Sequence, residues 1–400
     1  MRGVGGNRIT LLENGGQYFP ALLVAIAAAE QEVHLESYIF EADALGLAVA
    51  EALAQAARRG VRVRVLLDGF GARLLPQAIQ AMWRAAGVEL LFYRPELAPF
   101  KLRRHRLRRM HRKLAVIDAR LAFVGGINII DDLNGPAMTA PRYDYAVQVE
   151  GPLVARVHQA ARHLWQLVQW SRLHVRALQE PWLTPQPGKA GDQRAEFLVR
   201  DNLRNRRRIE RSYLWAIGHA RAEILIANAY FLPGRRFRHA LLDAARRGVK
   251  VTLLLQGLVE YRLQHYATRA LYRQFLEHGI EIYEYRRSYL HAKVAVIDAR
   301  WATVGSSNID PFSLLLAREA NVVVHDAGFA AELGASLRRA MAEGAHQVHR
   351  GDWHRLPWYV RWLHGASLGL VRLLMGWLGY AQRFEAGGRR QRRRAKPVAA

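Results

Sequence analysis

Histidine, lysine and asparagine recur in this chain in two strings of identical spacing. His111 and Lys113 stand two residues apart, Asp118 follows, and Asn128 closes the string; His291, Lys293, Asp298 and Asn308 repeat it. The differences 291−111, 293−113, 298−118 and 308−128 all equal 180. The common pattern is His-x-Lys-x4-Asp-x6-Gly-[Gly/Ser]-x-Asn, with Gly125-Gly126 in one copy and Gly305-Ser306 in the other. Imidazole can serve as nucleophile, acid or base near neutral pH. Ammonium and amide groups donate hydrogen bonds to phosphate oxygens. One copy alone reads as a solvated strand face, but two copies matched at four positions point to a single pocket holding two of each group. The chemistry that suits it is phosphodiester exchange in two steps. A neutral histidine attacks phosphorus to give a phosphohistidine, while the other, protonated, donates to the leaving alcohol and then activates the incoming alcohol or water. Such a coupled pair gives a bell-shaped pH profile. Lys113, Lys293, Asn128 and Asn308 would bind the non-bridging oxygens as charge rises on them. Asp118 and Asp298 complete the catalytic strings, but each lies five residues from its lysine, an odd number that turns it away on a strand and makes it structural. The lysines already supply cationic charge, and no compact His/Asp/Glu cluster has ligand spacing, so neither metal nor cofactor is expected.

These groups need rigid elements beneath them. Apolar residues alternate with His111 and Lys113, which predicts a strand with both polar side chains on one face. After Gly125-Gly126 the backbone can turn sharply and approach a ligand. Upstream, Gln17–Glu30 reads as a helix, Glu32–Phe40 as a strand, Ala44–Arg59 as a helix ended by Gly60, and Val61–Leu67 as a strand. The order returns at 204–220, Glu223–Phe231, Arg236–Arg247 ended by Gly248, and Val249–Leu255. The fold class is therefore α/β, with two similar lobes, each a mixed sheet flanked by helices, and one active site shared between them. Expected boundaries are lobe one at 1–180, a Pro/Gly-rich linker at 181–192, lobe two at 193–356 and an amphipathic end at 357–400. Matched segments lie 188 apart at Arg58 and Arg246, 192 at Gly87 and Gly279, and 180 at the histidines, which places a 12-residue excess in lobe one. That excess, Arg94–Arg109, is rich in arginine and reads either as a solvated loop or as an anion-gathering rim.

The repeated string resembles the phospholipase D superfamily, in which each half supplies one copy to a common active site. Within it the chain is similar to bacterial cardiolipin synthases of the B type over most of residues 5–355. The resemblance is carried by Gly6-Asn7-Arg8, Glu36-Ser37-Tyr38-Ile39-Phe40, Phe123–Asn128 and Asn308–Ser313. It implies that a carboxylate in each lobe orients that lobe's histidine, Asp144 serving His111 and Glu319 serving His291. It also implies that His111 is the nucleophile. The expected reaction moves a phosphatidyl group between phospholipids, from phosphatidylglycerol to cardiolipin plus glycerol, with phosphatidylethanolamine a second candidate substrate.

Composition bears on the partner. Fifty-nine basic against 34 acidic residues leave a formal charge of +25, so the chain is drawn to polyanions, either nucleic acid or an anionic membrane. Cysteine is absent, which excludes disulfides and thiolate metal sites. Met1–Thr10 has no basic region followed by an apolar run, so no signal sequence is expected. Trp358–Tyr380 is long enough to span a bilayer, but Arg372 near its middle would cost about 2.5–3.5 kcal/mol. Arg361, Gly365, Gly369, Arg372, Gly376 and Gly379 share one stripe, with Trp358, Trp362, Leu373, Leu374 and Trp377 away from it. An in-plane interfacial helix fits best, followed by the basic run Arg389–Arg394 on anionic lipid; spanning and packing against protein are the alternatives. The expected location is the cell membrane, peripheral, on the cytoplasmic face. A hydrolase or a nuclease of the same superfamily, and a non-catalytic polyanion binder, are the competing readings. Nucleic acid is disfavoured because no aromatic stacking platform accompanies the basic loop.

Overall fold

The computed structural model describes residues 3–95, 108–133, 140–171, 182–201, 205–310 and 317–374. The arginine-rich loop over 96–107, the segment from 375 and the tail arginines lie outside them. In the first half the strands are β1 Val4–Glu13, β2 Glu32–Ser37, β3 Arg62–Asp68, β4 Glu89–Tyr93, β5 Arg109–Met110, β6 Lys113–Ile117, β7 Leu121–Gly125 and β8 Tyr145–Glu150. In the second they are β9 Gln193–Arg200, β10 Glu223–Asn228, β11 Lys250–Gln256, β12 Glu281–Tyr285, β13 Lys293–Ile297, β14 Trp301–Gly305, β15 Ala317–His325 and β16 Ala345–Val348. Helices α1 Asn14–Ala27, α2 Ala44–Arg58, α3 Gln77–Ala86, α4 Val154–Ser171, α5 Arg208–His219 and α6 Arg235–Arg246 flank them. Gly60 and Gly248 follow α2 and α6 at φ +92 and +86, a conformation that ends a helix at no steric cost.

Each half is a mixed α/β layer. Strands β2, β3 and β4 run parallel, and β6, β7 and β8 add to β2 antiparallel. The second half repeats this with β10 to β12 parallel and β13 to β15 antiparallel. The two half-sheets are continuous. β1 pairs with β8 on one side and β9 on the other, and β9 pairs with β15, giving the central order β14-β15-β9-β1-β8-β7. One apolar cluster crosses that seam, with Tyr145, Val147 and Val157 of the first half packed among Val294, Val322 and Leu333 of the second. Burial of this set in the continuous core gives the seam a rigid base at roughly 25 cal/mol per Å² removed from water.

Met1–Leu258 with His278–Val348 form one compact unit, and Val259–Glu277 with His349–Ala400 form another. In the second, a helix over 358–374 buries His364, Ser367 and Val371, and His364 stacks on Tyr266 at 5.5 Å. Trp358, Trp362 and Leu373 of the same helix are 73%, 69% and 69% exposed, so its apolar face is left in solvent. No described helix is long and apolar enough to cross a membrane.

Candidate active site

The two motif strings meet in the first unit. The alternation predicts His111 and His291 on strands, but each precedes its strand, which begins at Lys113 and at Lys293. The ladder stops there because Lys113 opposes Gly125, where the partner strand turns away. The residues just before leave their own sheet. β5 runs parallel to β15 of the other half, and the His111 N–H donates to the Arg318 carbonyl at 2.9 Å. In the mirrored arrangement Leu290 bridges Tyr143, and the His291 N–H donates to the Tyr143 carbonyl at 2.8 Å.

This exchange corrects the pairing of carboxylates with histidines. Each carboxylate orients the histidine of the opposite lobe, not its own. His111 Nδ1 lies 3.1 and 3.2 Å from the two oxygens of Glu319, and His291 Nδ1 lies 2.5 Å from Asp144 Oδ2. The cause is the strand exchange, since Glu319 follows Arg318 and Asp144 follows Tyr143. With Nδ1–H donated to a carboxylate, Nε2 keeps its lone pair for attack.

The lysines are wholly buried and donate to the backbone carbonyl of their own motif histidine, Lys113 to His111 at 2.9 Å and Lys293 to His291. Burial pushes Lys113 down to about 7, with the Lys293 charge adding to the fall and Glu319 and Asp144 opposing it. Burial likewise brings Lys293 down to about 8 against Asp144 and Glu319. Burial and then Lys293 lower His291 to about 3, and burial lowers His111 despite Glu319. Burial alone would raise both carboxyls, but the lysines and histidines outweigh it and hold Asp144 and Glu319 below their ordinary values. Charges from both halves thus act on one another, and the resting histidines are neutral.

Asn128 is buried and accepts the Ile39 N–H at 3.2 Å through its amide oxygen, leaving its NH2 to donate. Asn308 is buried too, its amide oxygen without a partner among the described residues. Asp118 and Asp298 stand apart. Asp118 accepts the N–H groups of Glu30, Gln31 and Glu32 at 2.8–2.9 Å, and Asp298 those of Arg221, Ala222 and Glu223 at the same range. Both tie the turn after the motif strand to the start of its neighbour.

Several residues escaped sequence reasoning. Asp68 accepts the Met110 N–H at 2.7 Å and Gln256 accepts the Leu290 N–H at 3.2 Å, so each holds the residue before a motif histidine. Their offset, 256−68 = 188, equals that of the arginines nearby and could have revealed them. Arg112, inside the first motif, makes a buried bidentate pair with Glu36 at 2.6 and 2.7 Å, whereas the second motif has Ala292. The Tyr38 ring sits 4.9 Å from that of His111. The Gly/Ser position also differs by half. Ser306 Oγ donates to Glu319 at 2.5 Å, while a Cβ on Gly126 would overlap the Asp144 carboxylate. Glycine is therefore needed for Asp144 to reach His291, rather than for the ligand approach read from sequence. Gly126→Ala is expected to lower kcat by about 10- to 100-fold and stability by about 1–3 kcal/mol, the cost of overpacking. Ser306→Ala, which removes the bond to Glu319 and an acceptor of the Ala320 N–H without any overlap, should do less to both. Steady-state rates and thermal unfolding of the two variants check this.

Among the described residues no group of three or more His, Asp or Glu is arranged around a metal position. A family model described as "Cardiolipin synthase, PLD-like domain" matches residues 22–165 and 213–341, one match in each half. Cardiolipin synthase B of Escherichia coli (strain K12) is 41% identical over 386 residues, covering 93% of this chain and 90% of that protein. Cardiolipin synthase B of Salmonella typhi is 40% identical over 385 residues with the same coverage. The crystal structure of a phosphatidylserine synthase from Haemophilus influenzae superposes with a TM-score of 0.71 over 92% of this chain and 94% of that one, at 14% identity.

Proposed function

From the premise that this chain belongs to the cardiolipin synthase family of phospholipase D-like enzymes, the phosphatidyltransferases, we propose that it transfers a phosphatidyl group from one phosphatidylglycerol to another through a phosphohistidine, giving cardiolipin and glycerol. The observation that carries the mechanism is the crossed pair of carboxylates, which leaves Nε2 free on each of two histidines backed by two buried lysines. His111 Nε2 attacks phosphorus. His291 takes a proton on binding, as the phosphate charge opposes the loss of solvation, and gives it to the departing glycerol oxygen. It then removes the proton of the incoming glycerol hydroxyl, whose oxygen displaces His111. One P–O bond breaks and one forms, so no nucleotide is needed. Lys113 and Lys293 bind the non-bridging oxygens, with the Asn128 and Asn308 amides assisting.

Water at ~55 M competes with the lipid alcohol unless the acceptor is held in place. The test is the product ratio in liposomes of phosphatidylglycerol. Cardiolipin with one glycerol released per turnover is expected, at a rate unchanged by EDTA because the lysines supply the cationic charge. Phosphatidic acid as the main product would make the chain a hydrolase, and loss of activity on EDTA treatment restored by a divalent ion would refute the metal-free reading.

The chain is peripheral to an anionic membrane in this proposal, supported by Trp358, Trp362 and Leu373 exposed on one helix and by the charge of +25. Burying one large aromatic is worth about 1.5–3 kcal/mol, and about 1.4 kcal/mol is tenfold in affinity. Trp358→Ala/Trp362→Ala is therefore expected to weaken sedimentation with anionic vesicles by at least about tenfold. Undiminished binding would remove this helix from the interface.

A further inference from the structure

Between α4 and β9 runs an open cleft of about 710 Å³ whose cations the reaction described above does not use. Arg156, Arg162 and His163 of α4 and Arg208 at the start of α5 line it, together with Arg112 and Arg318. The first four are exposed and have no ion pair among the described residues. Two acids also line the cleft, and both are engaged. Glu196 pairs with His325 at 3.1 Å, and Asp201 accepts the Asn205 amide at 2.8 Å. Basic side chains outnumber the two carboxylates of the lining, even with Arg112 already paired to Glu36, and an anion relieves their mutual repulsion. Guanidinium groups match phosphate in geometry as well as charge.

The cleft is joined to the reacting centre through the backbone of two residues that line it. Arg112 lies between His111 and Lys113, and the Arg318 carbonyl accepts the His111 N–H at 2.9 Å. Joining two glycerophospholipids brings two phosphates to the enzyme, of which only one reacts. The lysines and asparagines take the reacting one. The other belongs to the acceptor, keeps its charge throughout, and requires cations elsewhere.

We infer that this arginine-lined cleft is a second phosphate site, which holds the unreacting phosphate of the acceptor glycerophospholipid while its glycerol hydroxyl attacks. The inference rests on the transfer reading above. In that step the hydroxyl oxygen bonds to phosphorus, the phosphorus–nitrogen bond to His111 breaks, and the hydroxyl proton passes to His291. Occupancy of the cleft by a lipid headgroup or by a soluble glycerol phosphate draws on the same chemistry.

The experiment compares wild type with Arg162→Glu/Arg208→Glu, and with Arg84→Glu/Arg120→Glu, which makes the same charge change at exposed positions outside the cleft. First, sn-glycerol 3-phosphate is titrated calorimetrically, a soluble probe that needs no turnover. Wild type and the control should take up two equivalents, and the cleft variant one. Equal uptake by all three, or equal loss in the control, overturns the inference. Second, products from phosphatidylglycerol vesicles are separated. The cleft variant should lower the ratio of cardiolipin to phosphatidic acid at least tenfold while donor consumption persists as hydrolysis; an unchanged ratio, or an equal fall in both products, overturns the acceptor assignment. If the glutamate variant unfolds early on heating, Arg162→Gln/Arg208→Gln takes its place under the same criteria. Failure of wild type to make any cardiolipin counts against the transfer reading, and is seen without the variants.

Discussion

Replacing His111 by alanine is expected to lower phosphatidyl transfer by about 10⁴-fold or more, with His291→Ala comparable, because residues that act as one unit fail together. The two losses should differ in kind. Without His111 no bond to phosphorus forms, so donor is not consumed at all. Without His291 the nucleophile remains, held by Glu319 at 3.1 Å, but the leaving oxygen receives no proton and the adduct has no base to resolve it. Donors with a good leaving group, such as a phosphatidyl nitrophenol, should therefore give a stoichiometric burst with His291→Ala and none with His111→Ala. The crossed carboxylates extend the pattern, since Glu319→Gln should behave as a weakened His111→Ala and Asp144→Asn as a weakened His291→Ala.

The second large effect joins activity to stability. Lys113→Met is expected to cost about 10²–10³ in kcat, the usual cost of removing one stabilising donor from a developing oxyanion. The same change should raise the unfolding temperature. Lys113 titrates near 7 in the fold and near 10.5 when unfolded, so between those values the unfolded chain binds more protons than the native one. Stability therefore rises with pH across that window in the wild type, and the strain of the buried ammonium is greatest at and below pH 7. Methionine carries no such penalty and fills a similar volume. Activity has the opposite alkaline limit, because Lys113 loses its proton through about 7 and Lys293 through about 8, so KM should climb across that range. Thermal unfolding and KM measured from pH 6 to 10, for wild type and Lys113→Met, check both signs. A variant that melts earlier than wild type at pH 7 would contradict the buried-charge account.

Much of this arrangement is legible in the chain. The constant offset of 180 names the histidines, lysines and asparagines, and the alternation of helix and strand patterns gives two mixed α/β halves. Hydrophobic period tells which face of a strand is buried, but not which strand lies beside it. That is why the exchange of β5 and its counterpart onto the opposite half's carboxylate strand is invisible in the chain, and why nothing in the period corrects the same-lobe pairing of Asp144 and Glu319 that the family resemblance implies. The same limit hid the β1–β9 pairing that fuses two half-sheets into one. Asp68 and Gln256 were readable in principle at their offset of 188, but an acid matched to an amide does not stand out as a repeat. Glu36 and Arg112 have no counterpart in the second motif, so internal comparison could not find them.

The central claim is that His111 carries the phosphatidyl group between donor and acceptor. It is tested most directly by quenching the enzyme in acid-free denaturant after mixing with phosphatidylglycerol labelled in its phosphate, and mapping the label by mass spectrometry. A phosphatidyl adduct on His111 is predicted in the wild type and none with His111→Ala, while His291→Ala should accumulate it only from the nitrophenol donor. An adduct on His291 with His111 unmodified, or cardiolipin formed at the wild-type rate by His111→Ala, would contradict it.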